Sequence, residues 1–344
     1  MSLKEVKSMK TEFLLLNSTP YENGKKSGEF FRNHVDLKQI ELPVLTDKKN
    51  EMCSKLLHKL KNEYPDYYEE VRGKADGLDI DLLTYFSLLC PELFHLTYEH
   101  CTTIIAKKDN GHFILSHNED DKYLDGNFCL SKVYVDNENW FVTNDMVNMP
   151  FGNGISYNSY GIIKSINYTH EENYTLEDLP RYFGQRHISE ARSLDDLIER
   201  CRQMNTASGF HVNAIDINTH KAVSIEVYNH SISVIEIHDY YVHTNHYIHH
   251  DHAQHPVTDS GSNSIFRLNK ASELMKDAER TVSSIKEILR YRSPENAHMT
   301  TIFQTKDDPS LTLFNFTYDT EFKDELLLDV YVTNEQLTLK YNNA

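Results

Sequence analysis

The stretch EHCTTIIAKKDNGHFILSHNEDD, residues 99–121, gathers the side chains of this chain best suited to covalent chemistry. Cys101 offers a thiol, a nucleophile once ionised, placed ahead of two threonines and an apolar run. KDNG at 108–111 is a turn signal that sends the chain back as HFILSHNEDD, so the end of the second run returns beside the start of the first. Asn118 and Asp120 are two apart and share a face, where both could sit beside Cys101. A lone cysteine at a strand start is more often a small buried hydrophobe, so these residues by themselves leave a nucleophile and a structural cysteine both open.

A second constellation competes with the first. HTNHYIHHDHAQH carries His243, His246, His249, His250, His252 and His255 within thirteen residues, and neutral imidazole is the commonest zinc ligand. The stretch lacks an HExxH pattern. It therefore reads either as a solvent-facing His-rich loop or as the centre of a metal-binding hydrolase.

The elements that position these residues change character near residue 100. Before it, TPYENGKKSGEFFRNHVDLKQ, KKNEMCSKLLHKLKNEYPDYYEEVRGKADGL and DIDLLTYFSLLCPELF carry apolar residues at three- and four-residue spacing between Pro, Gly and Asp punctuation, which predicts a helical first third. After it, runs rich in Ile, Val, Tyr and Thr predict strands at 101–107, 112–117, 131–135, 138–143, 161–167, 211–217, 221–227 and 231–237. The last three read as consecutive antiparallel strands, alternating as a half-buried sheet does. Helical spacing returns at 176–186, 192–204 and 263–291, and 298–332 reads as strand again. This order predicts an α+β protein of packed sheets under helical layers rather than alternating βαβ units.

Composition narrows the function classes. The 344 residues include 35 basic and 52 acidic side chains, a net charge of -17, which repels nucleic-acid phosphates and anionic membrane surfaces. No apolar stretch reaches the roughly 18 residues needed to cross a bilayer, so no membrane insertion is expected. The N-terminus has lysines but no signal-peptide core or cleavage site, which reads as cytoplasmic. The five cysteines, Cys53, Cys90, Cys101, Cys129 and Cys201, form no CxxC pair and support neither a disulfide framework nor a cysteine zinc site. Sequons at Asn17, Asn167 and Asn315 carry little weight without an export signal.

Set side by side, several segments resemble one family. CTT at 101–103, NG at 110–111 and N-x-D at 118–120 are similar to the start of the mature chain in the penicillin acyltransferase family. That family belongs to the cysteine N-terminal nucleophile hydrolases, as do the choloylglycine hydrolases and the acid ceramidase type amidases. STPYENGKKSG at 18–28 resembles its TPYE-x-G segment, EEVRGKADGL at 69–78 its E-x-RG-x-A helix, and NSYGI at 158–162 its N-S-x-G turn. HTNH at 243–246, SIFR at 264–267 and TLFNFTYD at 312–319 resemble later segments in the same order. Two departures stand out: His117 precedes Asn118 where the choloylglycine branch has arginine, so bile-salt specificity is not supported, and His100 rather than glycine precedes Cys101.

The resemblance implies a four-layer αββα sandwich of two antiparallel sheets, built as one structural domain from a helical segment 1–100 and a catalytic part 101–344. It implies self-cleavage between His100 and Cys101. The new α-amine, with a pKa near 8, then serves as base for its own thiol. On the same resemblance Asp120 orients the ammonium, Asn245 and Asn167 supply oxyanion donors, and Arg267 acts electrostatically beside the cysteine or Asp120. The implied activity is cleavage of a linear, non-peptide amide through an acyl-thioester, passing the acyl group to water or an amine. The expected partner is a small-molecule acyl amide, with no cofactor or metal and with a homo-oligomer left open. An unprocessed, inactive relative acting as a binding protein is the remaining alternative.

Overall fold

The structure, a computed structural model, describes residues 13–94, 100–122, 128–169, 171, 174–228, 230–249, 261–291, 311–322, 325–332 and 335–342. After a short strand β1 (Phe13–Leu16), the helical third forms α1 (Pro20–His34), α2 (Asp47–Glu63), α3 (Pro65–Leu78), α4 (Leu82–Leu88) and α5 (Pro91–Phe94). Thr19, Thr46 and Asp81 cap α1, α2 and α4 by accepting backbone N–H groups, which absorbs donors a helix start leaves unpaired. Gly24 and Gly28 of α1 lie against Gly73 and Gly77 of α3. A Cβ on Gly24 would fall 2.0 Å from the Glu70 carbonyl oxygen, and one on Gly73 1.9 Å from that of Tyr21. The glycine spacing in TPYENGKKSG and VRGKADGL thus serves a backbone-to-backbone helix contact.

The strand-rich part opens with the expected hairpin, β2 (His100–Lys107) and β3 (Phe113–Lys122), followed by β4 (Phe128–Tyr134), β5 (Trp140–Met146), β6 (Ser156–Asn158) and β7 (Ile162–Asn167). Then come α6 (Arg181–Ile188), α7 (Leu194–Gln203), β8 (Phe210–Asp216), β9 (Lys221–Tyr228), β10 (Ser231–Glu236) and β11 (Tyr240–His243). The chain continues through α8 (Gly261–Met275), α9 (Val282–Leu289), β12 (Leu311–Asp319), β13 (Glu325–Val332) and β14 (Glu335–Asn342). The helical run expected over 263–291 breaks because Thr281 caps a new helix by accepting from the Ser284 amide. The expected strand region from 298 falls outside the described residues as far as 310.

These strands form two sheets, ordered β1-β4-β5-β6-β7-β8-β9-β10 and β11-β2-β3-β12-β13-β14. All pairs are antiparallel except β1 with β4. Ile105, Phe113, Leu115 and Phe316 of the smaller sheet pack on Phe128, Leu130, Ile163 and Ile215 of the larger one. The outer face of the larger sheet takes α6 and α7 through Ile188, Leu194 and Leu197 against Val212, Ala214 and Ile225, and α1–α5 cover its β4 end. The outer face of the smaller sheet takes α8 and α9 through Ala271, Met275, Ile285 and Leu289 against Ile104, Ala106 and Ile114. The architecture is therefore the expected α+β sandwich of four layers, αββα.

One expectation is corrected. β8 and β9 are not half exposed, because the smaller sheet, with β11 at its edge, covers the face that carries His211, Asn213, Ser224 and Glu226. Their alternation separates an apolar face under helices from a polar face between sheets. No helix among the described residues is long and apolar enough to cross a membrane.

A buried ion pair joins the helical third to the larger sheet. Lys74 Nζ donates to Asp145 Oδ1 at 2.7 Å and to the Met146 and Met149 carbonyls, while Asp145 Oδ2 accepts from Ser27 and Ser131. Lys74→Met leaves Asp145 buried without its cation and is expected to lower the unfolding free energy by about 3–5 kcal/mol. Urea denaturation checks this as a fall in midpoint at unchanged slope; an unchanged midpoint would contradict it.

Candidate active site

The hairpin register decides which side chains meet the thiol. Lys107 pairs with Phe113 across the turn, so Thr103 lies opposite His117 and Cys101 opposite Glu119. Odd-numbered residues of β2 and β3 face the larger sheet, as Ile105, Phe113 and Leu115 do in the core. Cys101, 1% exposed, points its Sγ at Glu119 Oε1, 3.3 Å away. Glu119 Oε2 lies 3.0 Å from His117 Nε2, and His117 Nδ1 lies 2.7 Å from Thr103 Oγ1. Thr103 in turn bonds Asn167 Oδ1 at 2.8 Å. A continuous hydrogen-bonded chain thus runs from the thiol into the space between the sheets.

The main chain of Cys101 is held from the other side by HTNH and SIFR. Its backbone N–H donates to Asn245 Oδ1 at 3.0 Å. Arg267 on α8, 1% exposed, donates from Nη1 to the Cys101 carbonyl at 2.6 Å and to Thr102 Oγ1 at 2.8 Å, and from Nη2 to Asn245 Oδ1 at 2.6 Å. Asn245 Nδ2 donates to the Tyr168 carbonyl, and the Asn245 amide donates to Ser264 Oγ. Thr244 Oγ1 donates to the Ser264 carbonyl, and His246 Nδ1 meets Ser264 Oγ at 2.7 Å. The two motifs therefore lock together through Ser264 and present Asn245 and Arg267 to Cys101.

Behind the thiol, His211 stacks on His243 with ring centroids 3.3 Å apart and contacts Ser224 at 2.7 Å. Burial, followed by the nearby His243, pushes His211 well below the usual imidazole range. Burial, followed by His243 and Arg267, pushes His246 down to about 4. Asn167 Nδ2 and both amide atoms of Asn213 are buried without a hydrogen-bond partner among the described residues. Such orphaned groups raise the free energy of the fold unless water or a ligand meets them.

The structure brings Cys101, Asn245 and Arg267 into direct contact and links Asn167 to them through Thr103. The side chains of His100 and Asp120 lie outside the described residues, although the backbone of Asp120 pairs with that of His100. Asn118 does not join Cys101: its Nδ2 donates to the Leu289 carbonyl of α9, on the opposite side of the sheet. Glu119 and His117 were missed because the face was judged from the Asn-x-Asp pattern. Counting five residues in the 108–112 loop and pairing outward from Lys107 and Phe113 would have found them. Asn245 spends its carbonyl on the Cys101 amide and one N–H on Tyr168, a holding role that its expected place as oxyanion donor did not include.

The described histidines of the 243–255 stretch do not gather around a common point. Both His243 nitrogens already meet oxygen atoms, the Thr244 carbonyl at 2.8 Å and Glu226 Oε1 at 3.2 Å. His246 turns to Ser264 and His249 to Ser224, and residues 250, 252 and 255 lie outside the described residues. Cys101, His117 and Glu119 have their thiol, imidazole and carboxylate atoms within 4.8 Å of one another. Those atoms also meet each other at hydrogen-bond distance, Sγ on Oε1 and Oε2 on Nε2.

Residues 106–326 match the family described as acyl-coenzyme A:6-aminopenicillanic acid acyl-transferase, a span that begins five residues after Cys101. A curated relative, the beta-alanyl-dopamine/carcinine hydrolase of Drosophila melanogaster, is 24% identical over 202 residues, which is 51% of this chain and 52% of that protein. The chain thus spans about half the length of the curated relative it matches. Among solved structures, a variant of conjugated bile acid hydrolase from Clostridium perfringens is similar at a TM-score of 0.44 and 12% identity, over 70% of this chain and 92% of that one.

The low His246 value gives a pH prediction. Its folded pKa of about 4 lies below the ordinary 6.5, so between those values the unfolded chain binds the extra proton and stability falls as pH falls. His246→Gln is expected to flatten the decline of the urea midpoint between pH 6.5 and pH 4. A decline as steep as that of the wild type would contradict the assignment.

Proposed function

The chain belongs to the acyl-coenzyme A:6-aminopenicillanic acid acyl-transferase family, and from that premise we propose that it is a self-processing cysteine amidase or acyltransferase acting on small linear amides. The observation that carries this reading is the hold on Cys101. Its backbone nitrogen rests on Asn245 Oδ1, Arg267 fixes its carbonyl, and its thiol is directed at a carboxylate. A structural cysteine needs none of these, whereas a residue serving as both nucleophile and N-terminal base needs its nitrogen and sulfur placed together.

In this reading the bond between His100 and Cys101 is cut, leaving 100 residues ahead of it and 244 after it. The freed α-amine takes the thiol proton, and the thiolate attacks the substrate carbonyl to form a C–S bond. The leaving amine departs with that proton, which leaves an acyl-thioester on Cys101. Water, activated by the same α-amine, releases the acid and restores the thiol. Asn245 keeps one Nδ2 hydrogen beyond the one given to Tyr168, and Asn167 Nδ2 is unpartnered among the described residues, so these are the proposed oxyanion donors. Asp120 is proposed to steady the new ammonium group. Hydrolysis is favoured over transfer because water needs no second pocket. The name of the fly relative makes amides between an aminoacyl group and an amine the first substrates to try.

Intact-mass and N-terminal analysis of purified protein is expected to give two fragments, the larger beginning at Cys101, and a single chain for Cys101→Ala. A wild-type chain that stays uncut, with Cys101 inert to thiol reagents, would overturn the reading. Once an amide substrate is found in a panel of N-acyl amines, Asn245→Ala is expected to lower kcat by about 10²–10³-fold, checked by steady-state kinetics on material shown to be cut.

A further inference from the structure

Self-cleavage poses a problem that the mature mechanism does not solve. Before the cut, the Cys101 nitrogen is an amide whose lone pair is delocalised into the peptide bond, so it cannot take the thiol proton. Another base has to act once, in the precursor. We propose that Glu119 is that base and that His117 positions it; the proposal rests on the self-cleaving reading above.

The geometry supports the assignment at each atom. Glu119 Oε1 is the carboxylate oxygen to which Cys101 Sγ–H donates, at 3.3 Å. The other oxygen, Oε2, is met by His117 Nε2 at 3.0 Å, a contact that holds the carboxylate aimed at Sγ. His117 is fixed by Thr103 Oγ1 on Nδ1, and Thr103 by Asn167. Glu119 is 5% exposed and His117 fully buried, so bulk water does not compete for the proton. The Cys101 nitrogen, the eventual leaving group, is already held at Asn245 Oδ1.

The step balances. Glu119 takes the proton from Sγ, and the thiolate adds to the His100 carbonyl carbon to give a tetrahedral oxyanion. The C–N bond to Cys101 then breaks as Glu119 returns the proton to the departing nitrogen. The products are a thioester between the His100 acyl group and Cys101 Sγ, and a free α-amine on Cys101. One water hydrolyses the thioester, leaving a carboxylate on His100 and the thiol on Cys101. From then on the α-amine is present and can serve as the base of turnover.

The test follows self-cleavage itself. Full-length chain is made in a short cell-free translation pulse, halted, and diluted into buffers from pH 6 to pH 9, and its conversion into the two fragments is timed. Glu119→Gln is expected to slow cleavage at pH 7 by about 10²–10⁴-fold. The defect should shrink about tenfold per pH unit up to about pH 8.5, where the thiol ionises unaided. Glu119→Asp should lie between the two. A variant damaged only in folding would not recover with pH, so a Glu119→Gln defect of equal size at every pH would overturn the proposal, as would cleavage at the wild-type rate. If wild type and Cys101→Ala both stay uncut, the self-cleaving reading fails and this proposal with it; if wild type cuts and Glu119→Gln cuts equally fast, only this proposal fails.

Discussion

The Arg267 guanidinium is the contact on which the site depends. A cation this deeply buried is tolerable only where its hydrogens meet acceptors, and Arg267 meets the Cys101 carbonyl, Thr102 Oγ1, Asn245 Oδ1 and Asn263 Oδ1. Those acceptors come from the start of β2, the segment after β11, and α8 itself. A single side chain thereby sets the distance between the start of β2, the asparagine that holds the Cys101 nitrogen, and the outer helical layer. Ser264, one helical turn earlier on α8, repeats the device by bonding the backbone and side chains of Thr244, Asn245 and His246.

The space between the sheets is divided in a way that serves both stability and chemistry. At one end Ile105, Leu115, Phe113 and Phe316 meet Ile163, Ile215 and Ala222 in an apolar core. At the other, along the same strands, Thr103 bonds Ser165 and Asn167 of the larger sheet, with His117 and Glu119 following it in the chain of bonds and His211 beside Asn167. Apolar burial near 25 cal/mol per Å² supplies the favourable energy at the first end. The second end costs desolvation that hydrogen bonds only partly offset, as the orphaned amides of Asn167 and Asn213 record. A polar layer that costs stability is retained most readily where those groups do something.

Much of this was legible in the sequence, and the failures have a common cause. The hairpin at KDNG, the antiparallel run from 211 to 237 and the helical first third could be read because turn residues and periodicity agreed. β6, three residues long, and β11, four, are too short to carry a period. Burial of His211, Asn213, Ser224 and Glu226 could not be read, because alternation reports two faces and does not say whether the polar one meets water or a second sheet. The same gap hid Glu119. Its neighbours Asp120 and Asp121 make the segment look like a solvated acidic turn, although pairing places Glu119 beside a buried thiol. Arg267 was signalled only by its SIFR context, since nothing in the period of α8 separates it from a surface arginine.

The placement of these contacts along the chain bears on why a cut before Cys101 is compatible with a working site. Glu119, Asn245 and Arg267, whose side chains hold Cys101, follow it in sequence. β2 is paired on both edges by strands that also follow it, β3 and β11. Severing the preceding peptide bond removes none of these interactions. The upstream segment is anchored elsewhere, by β1 against β4, by the helical core against Cys129 and Val147, and by Lys74 on Asp145. A cut chain would therefore keep β1 and α1–α5 docked on the larger sheet. Cys101 would gain a free amine without losing its orientation.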